Sequence, residues 1–253
     1  MKKILLTGGL GILGKAITKQ LIKYKFKVII FDKKPLNSSE KKFFDKNSIE
    51  YFQVDLLNYV LLEKISKNKI FKNLYGIINN AAIDTPPNQN PRNKNFFDLN
   101  IKSIEDETFN NIKIYLYTTK IFGKYLYNNK FGVILNISSI YGMRSPDQDI
   151  YKLSKLKFEK PISYTISKSS IYGFSKYLSH YFRKRNVRVN TISLSGIFNN
   201  QNKLFVKNFS KKIPLNRMME SNEAAKVITF LINDDSSYIN GTNIIVDGGY
   251  NSI

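Results

Sequence analysis

The stretch that decides the fold is KILLTGGLGILG, residues 3–14. An apolar run over residues 3–7 passes directly into Gly8, Gly11 and Gly14, and an amphipathic segment follows to Tyr24. A glycine-rich turn between a strand and a helix lets the backbone approach a pyrophosphate, whose charge the helix N-terminus stabilises. The lysines and apolar residues at the N-terminus have the outline of a signal peptide, but glycines at motif spacing make the segment a first strand and turn.

Working outward, residues 27–31 form a second apolar strand that ends at Asp32, where a dinucleotide fold places a carboxylate for the adenosine ribose hydroxyls. A carboxylate there repels a 2′-phosphate, so NAD is expected over NADP. Lys33 and Lys34 follow at once and could pair with that phosphate, which leaves NADP unexcluded. Residues 49–54 are a third strand, closed by Asp55 and Leu56 at the adenine edge, and residues 74–79 a fourth. Asn80, Ala81 and Ala82 come next: small residues let a cofactor lie against the backbone, and the asparagines can pin the loop.

A polar, proline-containing loop over 84–95 leads to a long helical stretch, 96–128, that includes Asn111. Residues 131–138 are a fifth strand, with Ser139 just past its carboxyl end, the edge at which open α/β sheets bind ligands. Residues 187–193 and 242–246 are further strands. Between them, 198–219 has the composition of a mobile loop or helix pair over a site, and 223–232 is an amphipathic helix. Strands alternating with helical patterns imply right-handed crossovers and a parallel sheet. The expected fold is therefore α/β, a Rossmann-type doubly wound parallel sheet with helices on both faces, as a single domain over residues 1–253.

PISYTISKSSIYGFSKYLSHYFRK, residues 161–184, reads as one long helix that carries Tyr164 and Lys168 on the same face. A phenol has a pKa of about 10 and is a poor base at neutral pH, but an adjacent cation stabilises the phenolate. Tyr164 could then exchange a proton with a substrate alcohol. Tyr151 and Lys155 repeat the spacing, but Pro161 interrupts any helix continuing from Tyr151, so Tyr164 is the assigned residue. The lone His180 lies at the far end of the helix and has a structural role.

The 253 residues carry a formal charge of +21 and are 42% hydrophobic, with no cysteine. That excludes disulfides, thiolate catalysis and cysteine-ligated metals, and fits a cytoplasmic protein. No run approaches the roughly 18 apolar residues of a membrane span. Lysines are scattered from end to end, with no basic block longer than Arg183-Lys184-Arg185. The charge is thus expected to make a solvated surface, with neither nucleic acid nor membrane as partner.

With these residues laid out, the chain resembles the short-chain dehydrogenase/reductase family over nearly its whole length. The motifs, in the family's order, are TGGLGILG, Asp32, VDL with Asp55, NNAA, Asn111, NISS, YTISK, VRVN and GTNIIVDGG. The resemblance implies catalytic roles for Asn111, Ser139, Tyr164 and Lys168. It also implies cofactor binding by Gly8, Gly11, Ile12, Leu13, Gly14, Asp32, Asp55, Leu56, Asn80, Ala81, Ala82, Tyr164, Lys168 and Ile197. The implied reaction is metal-free hydride transfer between NAD and a secondary alcohol or ketone of a small molecule, in a homodimer or homotetramer.

Three departures stand out. Gly11 as the middle glycine is more like the sugar-nucleotide epimerase branch, Ala82 replaces a common glycine, and Leu194-Ser195-Gly196 replaces the usual Pro-Gly. The lengthened loop 140–162, IDTPPN, and GIFNNQNKLFVKNFSKKIPLNRM are similar to a subgroup associated with flagellin modification and sialic-acid-like sugar biosynthesis, which implies a polar, sugar-derived substrate. An epimerase or dehydratase with retained NAD is the second expectation, and a non-catalytic NAD-binding protein the third.

Overall fold

The computed structural model describes residues 1–84 and 96–252. Chain order is β1 (Lys3–Thr7), α1 (Ile12–Lys23), β2 (Lys27–Asp32), α2 (Ser38–Lys46), β3 (Glu50–Gln53), α3 (Tyr59–Ser66) and β4 (Leu74–Asn79). Then come α4 (Ile101–Asn129), β5 (Gly132–Ser139), α5 (Asp149–Leu153), α6 (Ile162–Tyr181), β6 (Val187–Leu194), α7 (Lys203–Ser210), α8 (Ser221–Ile232) and β7 (Asn243–Val246). The strands form one 7-stranded sheet, β3-β2-β1-β4-β5-β6-β7, in which every pairing is parallel. Strand order reverses between β1 and β4, so a crevice opens there at the carboxyl ends.

Strands such as KILLT and LYGIIN are apolar on both faces because helices cover both faces. On one side Ile17 and Leu21 of α1 pack with Ala225 and Ile228 of α8. On the other, the Phe31, Phe71 and Phe122 rings meet at tilted or edge-on angles, with Phe122 centroids 5.2 Å from Phe31 and 4.8 Å from Phe71.

A buried polar chain crosses the second layer. Asn79 Nδ2 donates to Thr119 Oγ1 at 3.0 Å and to Asn136 Oδ1 at 2.7 Å. Asn136 Nδ2 donates to Ser175 Oγ at 2.8 Å, and Thr191 Oγ1 donates to the same hydroxyl at 2.7 Å. These bonds tie α4 and α6 to β4, β5 and β6, and a shift of either helix along the sheet would strand buried polar atoms.

Some boundaries differ from the sequence expectation. Ser139 is the last residue of β5, still in register with Leu194, not beyond the strand. α4 starts at Ile101, where Asn100 caps the helix by accepting from the Ser103 amide. Residues 85–95 of the proline-containing loop, with most of IDTPPN, lie outside the described residues. Segment 198–219 is docked, because Phe205 and Phe209 of α7 are buried and Ile197 bridges Met219. The lengthened loop contains a 3₁₀ turn, Ile140–Gly142, and α5.

Asn136→Ala leaves Asn79 and Ser175 short of partners, so it should cost about 1–3 kcal/mol in urea unfolding. A cost below about 0.5 kcal/mol would show that the polar chain does not fix the helices.

Candidate active site

At the β1–β4 crevice lies a cleft of about 400 Å³ whose lining includes Gly8, Gly11, Ile12, Leu13 and Gly14, with Asp32, Asp55, Leu56 and Asn80 to Ala82 opposite. The structure thus brings together the expected cofactor-binding residues except Tyr164, Lys168 and Ile197. Gly8 has φ +68°, and a Cβ there would stand 2.9 Å from Ala81 Cα. Gly11 is the N-cap of α1 and offers no side-chain acceptor to the first-turn amides. Those amides and the unfilled space beside Gly8 and Gly11 fit the pyrophosphate of a dinucleotide.

The cleft walls are pinned by hydrogen bonds. Asp32 Oδ2 accepts from the Leu10 amide at 2.9 Å and Oδ1 from the Lys34 amide at 3.1 Å, which fixes the carboxylate at the crevice. Asn80 Nδ2 donates to the carbonyls of Thr7 and Gly8 at 3.0 and 3.1 Å. Two contributors escape a reading of glycine spacing. Thr7 Oγ1 accepts from the Asn80 and Ala81 amides, both at 3.0 Å. A Cβ on Gly9 would meet Ile30 Cγ2 at 2.4 Å, so this glycine seats the turn on β2. The tight strand-to-helix turn is the only sequence signal for either.

Beyond the cleft, Ser139 and Tyr164 come together at the end of β5. Ser139 Oγ accepts from the Tyr141 amide at 3.2 Å, and its hydroxyl is near enough to the Tyr164 phenol to act on its ionisation. Lys168 Nζ lies 5.8 Å from the Tyr164 ring centroid and donates to the Ile137 carbonyl at 3.2 Å. That carbonyl also accepts from the Tyr115 hydroxyl at 2.7 Å. Asn111 is buried on α4; its Oδ1 accepts from the Ile83 amide at 2.8 Å and its Nδ2 donates to the Ile83 carbonyl at 3.0 Å. It therefore holds the chain just after β4 against α4.

Electrostatics here run against the simple expectation of a cation lowering the Tyr164 pKa. Burial, followed by the charge of Asp84, pushes the phenol above its usual value, and the Ser139 hydroxyl acts the other way. Burial likewise pushes the Lys168 ammonium down, to about 8. The physical reason is that α6 sinks both groups against β5, where desolvation outweighs pairing.

Other candidates are placed elsewhere. Tyr151 is buried between Phe158 and Phe205, with ring centroids 5.1 and 5.4 Å away. Lys155 follows the end of α5 with φ +56°, so the two do not share a helix face. Ile197 lies outside the cleft lining; its carbonyl accepts from Gln201 Nε2 at 2.7 Å. His180 is exposed near the end of α6. A larger cavity of about 540 Å³ is lined by residues of α4, α6 and the 142–161 segment, including Arg144, Lys160 and Thr165. Neither this cavity nor the smaller cleft is lined by Ser139, Tyr164 or Lys168, and the glycine turn that fits a pyrophosphate belongs to the smaller cleft. Among the described residues, no group of three or more His, Asp or Glu could hold a metal ion, and no helix is long and apolar enough to cross a membrane.

Comparison with known proteins agrees with this architecture. A family model described as enoyl-(acyl carrier protein) reductase matches residues 11–251. Post-translational flagellin modification protein A of Campylobacter coli is 22% identical, covering 98% of each chain. Acetoacetyl-CoA reductase of an Acinetobacter strain is 24% identical over 98% of this chain and 97% of its own. A crystal structure of a short chain dehydrogenase from Leptospira borgpetersenii with bound NAD⁺ superposes with TM-score 0.83 at 28% identity, covering 98% of this chain and 92% of that one.

The buried lysine gives a pH signature. Burial brings Lys168 down to about 8 from the ordinary lysine value of 10.5, so between those limits the unfolded chain binds more protons and stability rises with pH. Below about 8 the cost of the buried charge is present in full. Lys168→Met should be more stable than wild type at neutral pH, with the gap closing as pH approaches 10.5 in urea unfolding. A gap that widens with pH would contradict this.

Proposed function

We propose that this chain, which belongs to the short-chain dehydrogenase/reductase family, is an NAD-dependent oxidoreductase acting on a secondary alcohol or ketone of a polar, sugar-derived substrate. The observation that carries the reading is the convergence of Ser139 and Lys168 on Tyr164, with Lys168 Nζ 5.8 Å from its ring, in a fold that also forms a glycine-lined dinucleotide cleft. Nicotinamide, when bound, accepts or supplies the hydride. The residues of the chain handle the proton and the geometry.

In this reading Ser139 donates a hydrogen bond to the substrate oxygen, and Tyr164 takes the proton from the alcohol or returns it to the ketone. Lys168 supplies positive charge beneath that exchange and binds the nicotinamide ribose. Asn111 keeps the Ile83 peptide, and with it the cofactor-facing Asn80–Ala82 stretch, in place. The amides of the Gly8–Gly14 turn receive the pyrophosphate, and Asp32 accepts from the adenosine ribose hydroxyls. Its carboxylate favours NAD over NADP, with Lys33 and Lys34 near enough to lessen that preference.

The names of the relatives point to two substrate classes, flagellin modification and acyl thioesters. Both similarities span the full length; the sugar-derived class is preferred on the lengthened loop 140–162 and the segment GIFNNQNKLFVKNFSKKIPLNRM, which resemble the flagellin-modification subgroup. Gly8, Gly11 and Gly14 also support a second reading, an epimerase or dehydratase that recycles retained NAD; net NADH production separates the two. We further read residues 1–253 as one catalytic domain of a cytoplasmic homodimer or homotetramer. Exposed Phe109 and Leu116 of α4 with Ile166 and Tyr177 of α6 favour helix-face assembly.

A screen of sugar and nonulosonate-type alcohols, followed by NADH and NADPH absorbance in parallel, tests the reading. Tyr164→Phe should lower kcat by about 10²–10⁴-fold, the usual contribution of a general acid/base, while Tyr151→Phe retains turnover. The reverse pattern would move the proton-transfer role to Tyr151.

A further inference from the structure

Tyr164 carries a second ammonium that its four-residue spacing from Lys168 does not explain. Lys160 Nζ stands 3.8 Å from the Tyr164 ring centroid, against 5.8 Å for Lys168. Its ion-pair partner is Asp84, with Nζ to Oδ1 at 2.5 Å. The lysine side chain is only 10% exposed, whereas that of Asp84 is 46% exposed.

The position is held on several sides. Gln148 grips the Lys160 peptide, Nε2 donating to its carbonyl and Oε1 accepting from its amide, both at 2.9 Å. Pro161 follows as the N-cap of α6 and disfavours helical backbone at Lys160. A lysine kept only for solubility needs neither a clamp nor burial, and ordering its long stem costs rotamer entropy. The lengthened loop between β5 and α6 thus ends by delivering a fixed cation to the face of the tyrosine.

We propose that Lys160 is a positioning residue for proton transfer at Tyr164: its ammonium, held on the ring face by Asp84 and Gln148, favours the phenolate over the phenol. The proposal rests on Tyr164 being the proton-transfer group. A cation over an aromatic face is attracted by the negative π system. Ionising the phenol adds negative charge to the ring, so the attraction grows on ionisation. Asp84 opposes this, its charge acting upward on the phenol, so the effect of the nearer and drier ammonium is what single removal of each partner must reveal.

Among the described residues, the titratable groups around Tyr164 are Asp84 after β4, Tyr115 of α4, Tyr151 of α5, Lys160, and Lys168 and Tyr172 of α6. Only Asp84 and the two lysines are charged at neutral pH. The charge of Asp84 acts upward on the Tyr164 phenol, and that of Lys160 acts downward on Lys168. Removing the extra cation must raise nearby pKa values, and removing the anion must lower them.

Lys168 reports this field without cofactor or substrate. In the full chain labelled at lysine Cε and followed by NMR, one signal should titrate near 8 and be missing in Lys168→Met. Lys160→Gln should raise that midpoint and Asp84→Asn lower it, each by about 0.5–1 unit, a roughly three- to tenfold change in protonation equilibrium. Lys160→Arg should stay near wild type. With a substrate from the screen, the rising limb of kcat/KM against pH for alcohol oxidation should move the same way in each variant.

Midpoints that move in one direction in both variants, or stay within about 0.2 unit in both, overturn the proposal. If Lys160→Gln fails to fold, a downward shift in Asp84→Asn with none in Lys160→Arg upholds it, and any other combination overturns it. Opposite NMR shifts without nicotinamide turnover would retain Lys160 as a field-setting cation and sink the oxidoreductase reading instead.

Discussion

The hydrogen-bond chain through Asn79, Asn136, Ser175 and Thr191 is the constraint on which the rest of the molecule depends. Hydrophobic burial holds helices on a sheet but does not choose their register, because apolar contact is non-directional. Asn136 removes that freedom by bonding β4 on one side and α6 on the other. Once α6 is fixed, Tyr164 must face the end of β5, and Lys168 must reach the Ile137 carbonyl. Thr119 ties α4 into the same network, which sets Asn111 against Ile83. The fold thus places residues distant in sequence through a few bonds that carry no chemistry of their own.

Much of this was legible in the sequence where a backbone requirement selects a residue type. Gly8 is tied to a positive φ and a close approach to Ala81, and Asp32 to the end of an apolar strand, so both stand out without coordinates. Tyr164, proposed to move the proton, and Ser139, proposed to hold the substrate oxygen, could be named too, because helical spacing and a strand end predict where side chains point. Thr7, Gly9 and Lys160 were not legible. Each acts through a partner remote in sequence or through packing, and a threonine at a strand end or one lysine among many carries no local signature. Segment 198–219 is legible in part: its polar, aromatic and basic composition reads as a loop or helix pair, and α7 lies there, but the burial of Phe205 and Phe209 against Tyr151 and Tyr250 that docks it has no local signature.

The electrostatics of the site show why a net charge says little about a reacting centre. The chain carries +21, yet burial, not that charge, sets the directions at Tyr164 and Lys168. Scattered surface lysines are screened by solvent within about 10 Å, so a cation matters to the phenol only when it is nearby and largely dry. Lys168 and Lys160 meet that condition, one on α6 and one from the lengthened loop. The same loop lines the larger cavity beside α6, so the segment that departs most from ordinary length also borders the space next to the tyrosine.

The most direct test of the central claim is a crystal structure of the chain with NAD bound. The pyrophosphate should lie on the amides of the Gly8–Gly14 turn, the adenosine ribose at Asp32, and the nicotinamide beside Tyr164 and Ser139. A dinucleotide seated in the cavity outside α6, or a nicotinamide nearer Tyr151 than Tyr164, would contradict it.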